Sequence, residues 1–242
     1  MRVLRLLTCF AEQSEWAVTD LAHRLELPKS TAHRLLQLCR DNGYIEAHDG
    51  VYSVGVEFSR VAAIVFSRAP LERFAAPLLQ DLAFECQEVA FIAALVPDKL
   101  RMTYLAMADP SEEFHYHIDL HTLKSLCWGG CGRTILAHMQ PNRIDQAISE
   151  AEDSPSGMPF DEQALRQDLS SIRKRGYYIS KAQHRRTAVG VGIPFFGPDG
   201  VIMGSLGLSI PIFRFRDKMV PALLKPMAKC AQKITYFMGG AG

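Results

Sequence analysis

The sequence predicts an α+β protein of two domains, on three observations. Its 242 residues suffice for two domains of about 100–150 residues each. The first 55 residues read as three short helices and a hairpin, whereas the chain beyond residue 70 combines antiparallel strand pairs with helices gathered separately. A content of 48% hydrophobic and 22% charged residues is that of an ordinary globular chain, not a disordered or fibrous one.

Val3, Leu6, Leu7 and Phe10 give the first helix one apolar face. Thr19 is the expected N-cap of a second, with Leu21, Ala22 and Leu25 turned inward. "LELP" then turns the chain, and Pro28 suits the first turn of a third helix, where its missing N–H costs nothing. In that helix Ala32, Leu35, Leu36 and Cys39 fall at i, i+3, i+4 and i+7. Asn42-Gly43 supplies the left-handed backbone that ends it. "YIEA" and "VYSV" flank His48-Asp49-Gly50 as a tight hairpin. Three helices followed by a hairpin is a winged helix-turn-helix, expected over residues 1–55.

That arrangement gives the polar side of the third helix a task. The second helix of such a pair enters the DNA major groove with its N-terminal residues at the base edges. Lys29, Ser30, Thr31, His33, Arg34 and Gln37 occupy that end and face. Arg34 suits guanine, Gln37 suits adenine, and Ser30, Thr31 and His33 can reach bases or phosphate. Arg24, Lys29, Arg34 and Arg40 against Glu26 make a local charge of +3 over residues 24–40. The first 60 residues as a whole carry seven Lys/Arg and eight Asp/Glu, so the positive patch is confined to one face. A merely solvated face is the competing reading, and the helix–turn–helix–wing order favours binding of a double-stranded DNA operator.

Residues 56–70 form a separate linker helix. Its stripe of Phe58, Val61, Ala62 and Val65 has no partner in the sequence around it and is read as a dimer contact. Residues 71–242 form the second domain. A helix runs through Phe74, Leu78 and Leu82 despite Pro77, and "EVAFIAALV" and "LRMTYLAM" pair around Pro97-Asp98-Lys99. "FHYHIDLH" is expected as a third strand, followed by a Gly-rich turn and a helix in "SLCWGGCGRTILAHM". Helices near 141–151 and 161–176 precede a second strand pair, "TAVGVGIPFF" and "GVIMGSLGLSI". An amphipathic helix through Val220, Leu223, Leu224, Met227, Ala231 and Ile234 follows.

Several function classes recede. Net charge is 27 − 26 = +1, so no global field draws the chain to nucleic acid or membrane. Six dispersed cysteines without a C-x-x-C pair suit a reducing compartment rather than a disulfide framework. The N-terminus makes a poor signal peptide, and the longest apolar run, 89–96, is far shorter than the roughly 20 residues of a membrane span. A cytoplasmic location without membrane contact is expected. "WGGCGRT" lacks the spacing of a phosphate loop, and no nucleophile elbow or paired catalytic carboxylates can be placed. Cys127 and Cys131, at i and i+4, could sense oxidants, but nothing nearby in sequence argues for a lowered pKa. His115, His117, Asp119 and His121 share one face of the expected strand, a pattern that would suit zinc. A metal-dependent enzyme built on them is the alternative function. The bland reading, a half-exposed strand with Phe114, Tyr116, Ile118 and Leu120 inward, weighs more, so no metal or cofactor is expected.

"LPKSTAHRLLQLCRDNGYIE" followed by "VYSVG" closely resembles the recognition helix and wing of the isocitrate lyase regulator (IclR) family of bacterial transcription factors. "SLCWGGCGRTILA" resembles that family's pocket loop, and "RGYYIS…VGIPFFGPDGVIMGSLGLSIP" its C-terminal strands. The resemblance implies a repressor or activator, a homodimer or homotetramer, with a GAF-like effector-binding domain. Members that bind small 2-oxo acids use a carboxylate after the Gly-Tyr, a Cys in the penultimate strand, two Ser in the last strand and N–H groups of the Gly-rich loop. The matching positions here are Ser180, Gly190, Gly207 and Ser209, with Gly130 and Cys131 in the loop. Trp128 stands where small residues are usual. Glycines for larger polar residues and an aromatic wall imply a larger organic acid as effector, aromatic in this reading. Arg133, Arg185 and Arg186 are candidate carboxylate partners, against the bland alternative of surface arginines.

Overall fold

A computed structural model describes residues 2–67, 70–110 and 118–240, in two compact units, 1–69 and 70–242. In the first unit, α1 (Arg2–Glu12), α2 (Val18–Leu25) and α3 (Lys29–Asp41) pack with a three-stranded antiparallel sheet. Its strands are β1 (Glu15–Ala17), β2 (Ile45–His48) and β3 (Val51–Val54), in the order β1-β3-β2. Leu6, Phe10, Leu21, Leu25, Leu36, Cys39 and Ile45 form the core, so the inward positions of all three helices are those the periodicity picks out. The hairpin turns on Asp49 (φ 50°) and Gly50 (φ 80°), the doubly left-handed pair that a two-residue turn requires.

Two expectations change here. Strand β1 pairs with β3, Trp16 opposite Tyr52, where no strand is expected. Helix α2 begins at Val18 with Ala17 as its uncapped N-cap, so Thr19 lies within the first turn, its hydroxyl 3.5 Å from Asp20. The turn into α3 rests on Glu26 in left-handed geometry (φ 56°), its N–H directed at Ala22 and His23 carbonyls. The linker helix α4 (Val56–Ser67) clusters with this first unit.

The second unit is built on a six-stranded antiparallel sheet, order β6-β5-β4-β9-β8-β7. These are β4 (Val89–Val96), β5 (Arg101–Ala108), β6 (Leu123–Ser125), β7 (Tyr178–Lys181), β8 (Ala188–Phe196) and β9 (Ile202–Pro211). Alternation along the strands divides two cores. Ala90, Ile92, Leu206, Leu208 and Val191 face α5 (Pro70–Cys86) and the final helix α9 (Val220–Phe237). Phe91, Ala93 and Met102 face α6 (Gly129–Ala137), backed by α7 (Pro141–Ser149) and α8 (Glu162–Arg175).

Helix α6 lies on β8 with bare backbone between them. A Cβ on Gly192 would stand 2.4 Å from the Gly130 carbonyl oxygen, and one on Gly130 would stand 3.0 Å from Gly190. Any side chain there would lift the helix off the sheet.

The expected strand "FHYHIDLH" does not hold in its described part. Ile118 and Asp119 are irregular, and Leu120-His121 is a turn with His121 at φ 58°. The strand in this region is β6, pairing with β5. His115 and His117 lie outside the described residues.

Candidate functional site

In the first unit, Ala32, Leu36 and Cys39 bury one side of α3. The other side leaves Lys29, Ser30, His33 and Arg34 exposed, with Thr31 and Gln37 half-buried. No side chain caps the helix start and no acid sits in its first turn, so its leading N–H groups suit a phosphate. Thr31, Arg34 and Gln37 line a shallow groove together with Leu38 and with Arg2 of α1. Arg2 and the 52%-exposed Leu38 are additions that the sequence reading missed; only the packing of α1 beside α3 brings Arg2 to this face.

In the second unit a cavity of about 210 Å³ opens between the sheet and the N-terminus of α6. Strand register sets Ser180 opposite Gly190 and Gly190 opposite Ser209, so these three sequence-predicted residues form one row across β7, β8 and β9. All three line the cavity, as do Gly130 and Cys131. The Ser180 hydroxyl donates to the Gly190 carbonyl at 3.3 Å. Gly130 and Cys131 belong to the first turn of α6, whose N–H groups have no intrahelical acceptor. The Gly129 N–H is taken by Gln183 Oε1 at 2.9 Å.

Three expectations are corrected. Trp128 does not line the cavity. Its indole N–H needs a partner and donates to the Glu152 carbonyl at 2.9 Å, and its ring packs edge-on to Phe160. The aromatic wall comes instead from Phe91 and Tyr104, edge to face with centroids 5.0 Å apart. Gly207 is not on the wall either: a Cβ there would stand 2.3 Å from the Phe91 ring, so this glycine makes room for Phe91 rather than for ligand. Arg133 is 5% exposed and committed to structure. It pairs with Asp168, donates to Tyr178 Oη at 2.9 Å and to the Cys127 carbonyl at 2.8 Å, and lies over the Trp128 ring. Of the three candidate arginines, Arg185 lines the cavity; Arg186 is exposed and donates to the Ser156 carbonyl.

Lys124, Gln183 and His184, not singled out by sequence, also line the cavity. Lys124 is paired with Asp119 at 2.9 Å. Burial pushes the Cys131 thiol up to about 12 and raises Cys127 as well, so neither is a thiolate poised for oxidation. Burial likewise raises the Tyr104 hydroxyl well above the usual range. Among the described residues no three His, Cys, Asp or Glu side chains gather to hold a metal. Asp119, from the histidine-rich segment, is the partner of Lys124.

Two family models match this chain. The IclR helix-turn-helix domain covers residues 1–49, and the bacterial transcriptional regulator IclR C-terminal domain covers residues 63–236. The chain belongs to the IclR family. It is a ligand-responsive, DNA-binding transcription regulator and not an enzyme. Among its IclR relatives, the HTH-type transcriptional regulator KipR of Bacillus subtilis is 22% identical over 99% of this chain and 96% of its own length. The transcriptional repressor IclR of Escherichia coli is 24% identical over 99% and 89%. A solved IclR regulator from a Silicibacter species superposes with a TM-score of 0.85 at 21% identity, covering 99% and 96% of the two chains. An IclR homologue from Microbacterium hydrocarbonoxydans, solved in complex with 4-hydroxybenzoate, superposes with a TM-score of 0.78 at 21% identity, covering 98% and 97%. Among the described residues of this IclR protein, no helix is long and apolar enough to cross a membrane.

Proposed function

We propose that this regulator responds to a small aromatic acid held in the α6 cavity and reads its operator through the exposed face of α3. The observation that carries the ligand class is the pairing of two features in one cavity. The Phe91–Tyr104 pair, edge to face, offers an aromatic corner, and the first-turn N–H groups of Gly130 and Cys131 offer an anion site at a helix N-terminus. Ser180 and Ser209 add polar groups on the sheet side, and Arg185 adds a positive charge. The relative holding 4-hydroxybenzoate supports the same class of ligand.

On the DNA, Lys29 takes a backbone phosphate while Arg34 and Gln37 read base edges, with Ser30, Thr31 and His33 beside them. A single winged helix covers one half-site, so operator binding calls for a dimer. The α4 stripe of Phe58, Val61 and Ala62, continued in the sequence by Val65, whose side chain lies outside those described, is its seam in this reading. The protein works in the cytoplasm, where its operator lies. The test is a thermal-shift panel of aromatic and aliphatic acids at millimolar concentration. An aromatic acid at about 100 times its Kd should contribute about 2.7 kcal/mol. A panel in which only aliphatic acids, or none, raise the melting temperature overturns the ligand assignment.

A further inference from the structure

His184 lines the cavity, yet its Nε2 is buried and has no hydrogen-bond partner among the described residues. A buried polar atom without a partner costs free energy unless something else fills the role. The Trp128 backbone lies beside the ring and favours its charged form. A neutral imidazole carries one N–H and one bare lone pair, and both nitrogens become donors when the ring takes up a proton. The Cδ2–Nε2 edge of the ring lies against Gly129, which adopts φ 80° and whose Cβ, if it had one, would stand 2.4 Å from Cδ2 and 2.7 Å from Nε2.

Burial and the charges around the ring favour its neutral form. Burial comes first, then the Lys124 ammonium from β6, with Arg185 from the same loop adding to it; together they hold His184 below the ordinary histidine value. Asp119, which also lines the cavity, is engaged by Lys124. The remaining titratable groups on the wall, Cys131 of α6 and Tyr104 of β5, stay neutral through the physiological range. His184 is thus the one cavity group, among the described residues, placed to change charge near neutral pH when an anion arrives.

We infer that His184 Nε2 is the contact point for the carboxylate of the ligand, and that the acid enters together with one proton taken from solvent. The inference rests on the acid-binding reading above. Binding places a carboxylate oxygen at Nε2, and the new proton sits between the two. The ring's own N–H is retained, so the complex holds one proton more than the separate partners. The anion's charge reverses the effect of Lys124 and Arg185 on the ring, which raises the histidine into the working range.

The test is titration calorimetry of the full-length protein with benzoate, 4-hydroxybenzoate and pyruvate at pH 6 and pH 8, in pairs of buffers with different ionisation heats. The acid that binds should take up close to one proton near pH 7.5, and its Kd should rise towards tenfold per pH unit above that. His184→Gln should bind with no proton uptake and with a flat pH profile. If that variant misfolds, the proton count of the natural protein decides alone. Binding without proton uptake, or equal uptake in His184→Gln, overturns the role of His184 and leaves the acid-binding reading intact. Failure of all three acids to bind at either pH overturns both.

Discussion

Glu88, immediately before β4, is 3% exposed, and its Oε1 stands 3.1 Å from Arg214 Nη2. That guanidinium also donates to the Gln87 carbonyl at 3.0 Å. Burial outweighs the arginine and pushes the carboxyl up to about 7 from its ordinary 4.5. The folded protein therefore binds this proton more tightly than the unfolded chain does. The stability Glu88 contributes is fully present below pH 4.5 and is lost as the pH rises to 7. A carboxyl that titrates near 7 rather than 4.5 corresponds to about 3 kcal/mol over that interval. Glu88→Gln keeps the shape and removes the titration. Urea unfolding at pH 5 and pH 8, followed by Trp128 fluorescence in a Trp16→Phe background, reads the effector domain alone. Natural protein should lose about 2.5 kcal/mol more than the variant between the two pH values, since the unfolded carboxyl is already mostly ionised at pH 5. His184 and His138 act the other way, both held low by burial, and destabilise the fold as pH drops below 6.5; their effect is common to both proteins and cancels in the comparison. Identical pH profiles for the two proteins would falsify a buried, protonatable Glu88.

Arg34→Ala should leave the fold intact and cost about 1–3 kcal/mol at a single base position of the operator; unchanged sequence preference in gel shifts would remove Arg34 from base reading. Lys29→Ala should weaken binding to every sequence alike and lower the salt slope by about one, an assignment contradicted by a loss confined to one operator variant. Val61→Asp should sediment as a weakened dimer that still binds acid but loses high-affinity operator binding, whereas a normal dimer would exclude α4 as the seam. Gly192→Ala, with its new methyl 2.4 Å from the Gly130 carbonyl oxygen, should lose about 1–3 kcal/mol of stability in urea melts and bind acids more weakly; a stable variant with normal affinity would mean that α6 can lift without consequence.

Elements whose cause is local were legible in the sequence. The stripe of α3, Pro28, Gly43 and the Asp49-Gly50 turn each act over a few residues, and together they specify the winged helix. The row Ser180–Gly190–Ser209 was legible through the resemblance, because strand register carries those positions with it. What failed depends on distant partners. Arg133 is committed by Asp168, 35 residues on and on another helix, and the indole of Trp128 by a carbonyl at Glu152. Strand β1 spans three residues, too short to show a period. "IDLH" has the alternation of a strand, but the chain turns there because Asp119 is drawn to Lys124 and His121 adopts positive φ. His184 hides within "HRR", which reads as a charged loop until the fold folds it over Gly129.

The bare contact between Gly130 and Gly192 divides the cavity wall into places free to vary and places that are not. Two backbones meet there with no room for a methyl group, so the seat of the helix cannot be altered without dislodging the anion site proposed for its N-terminus. Ser180 and Ser209, beside that seat, meet the cavity with side chains, which can be exchanged without moving the scaffold. Gly190, at the open end of the same strand, has the Ser180 hydroxyl as the nearest atom to an added Cβ, and a hydroxyl can rotate aside. A family built this way can acquire new chemical tastes one wall position at a time while the helix that greets the negative charge stays where it is. Directed evolution of this regulator towards a different acid should accordingly accumulate changes at Ser180, Gly190 and Ser209, and sequencing of the selected pools should find Gly130 and Gly192 untouched.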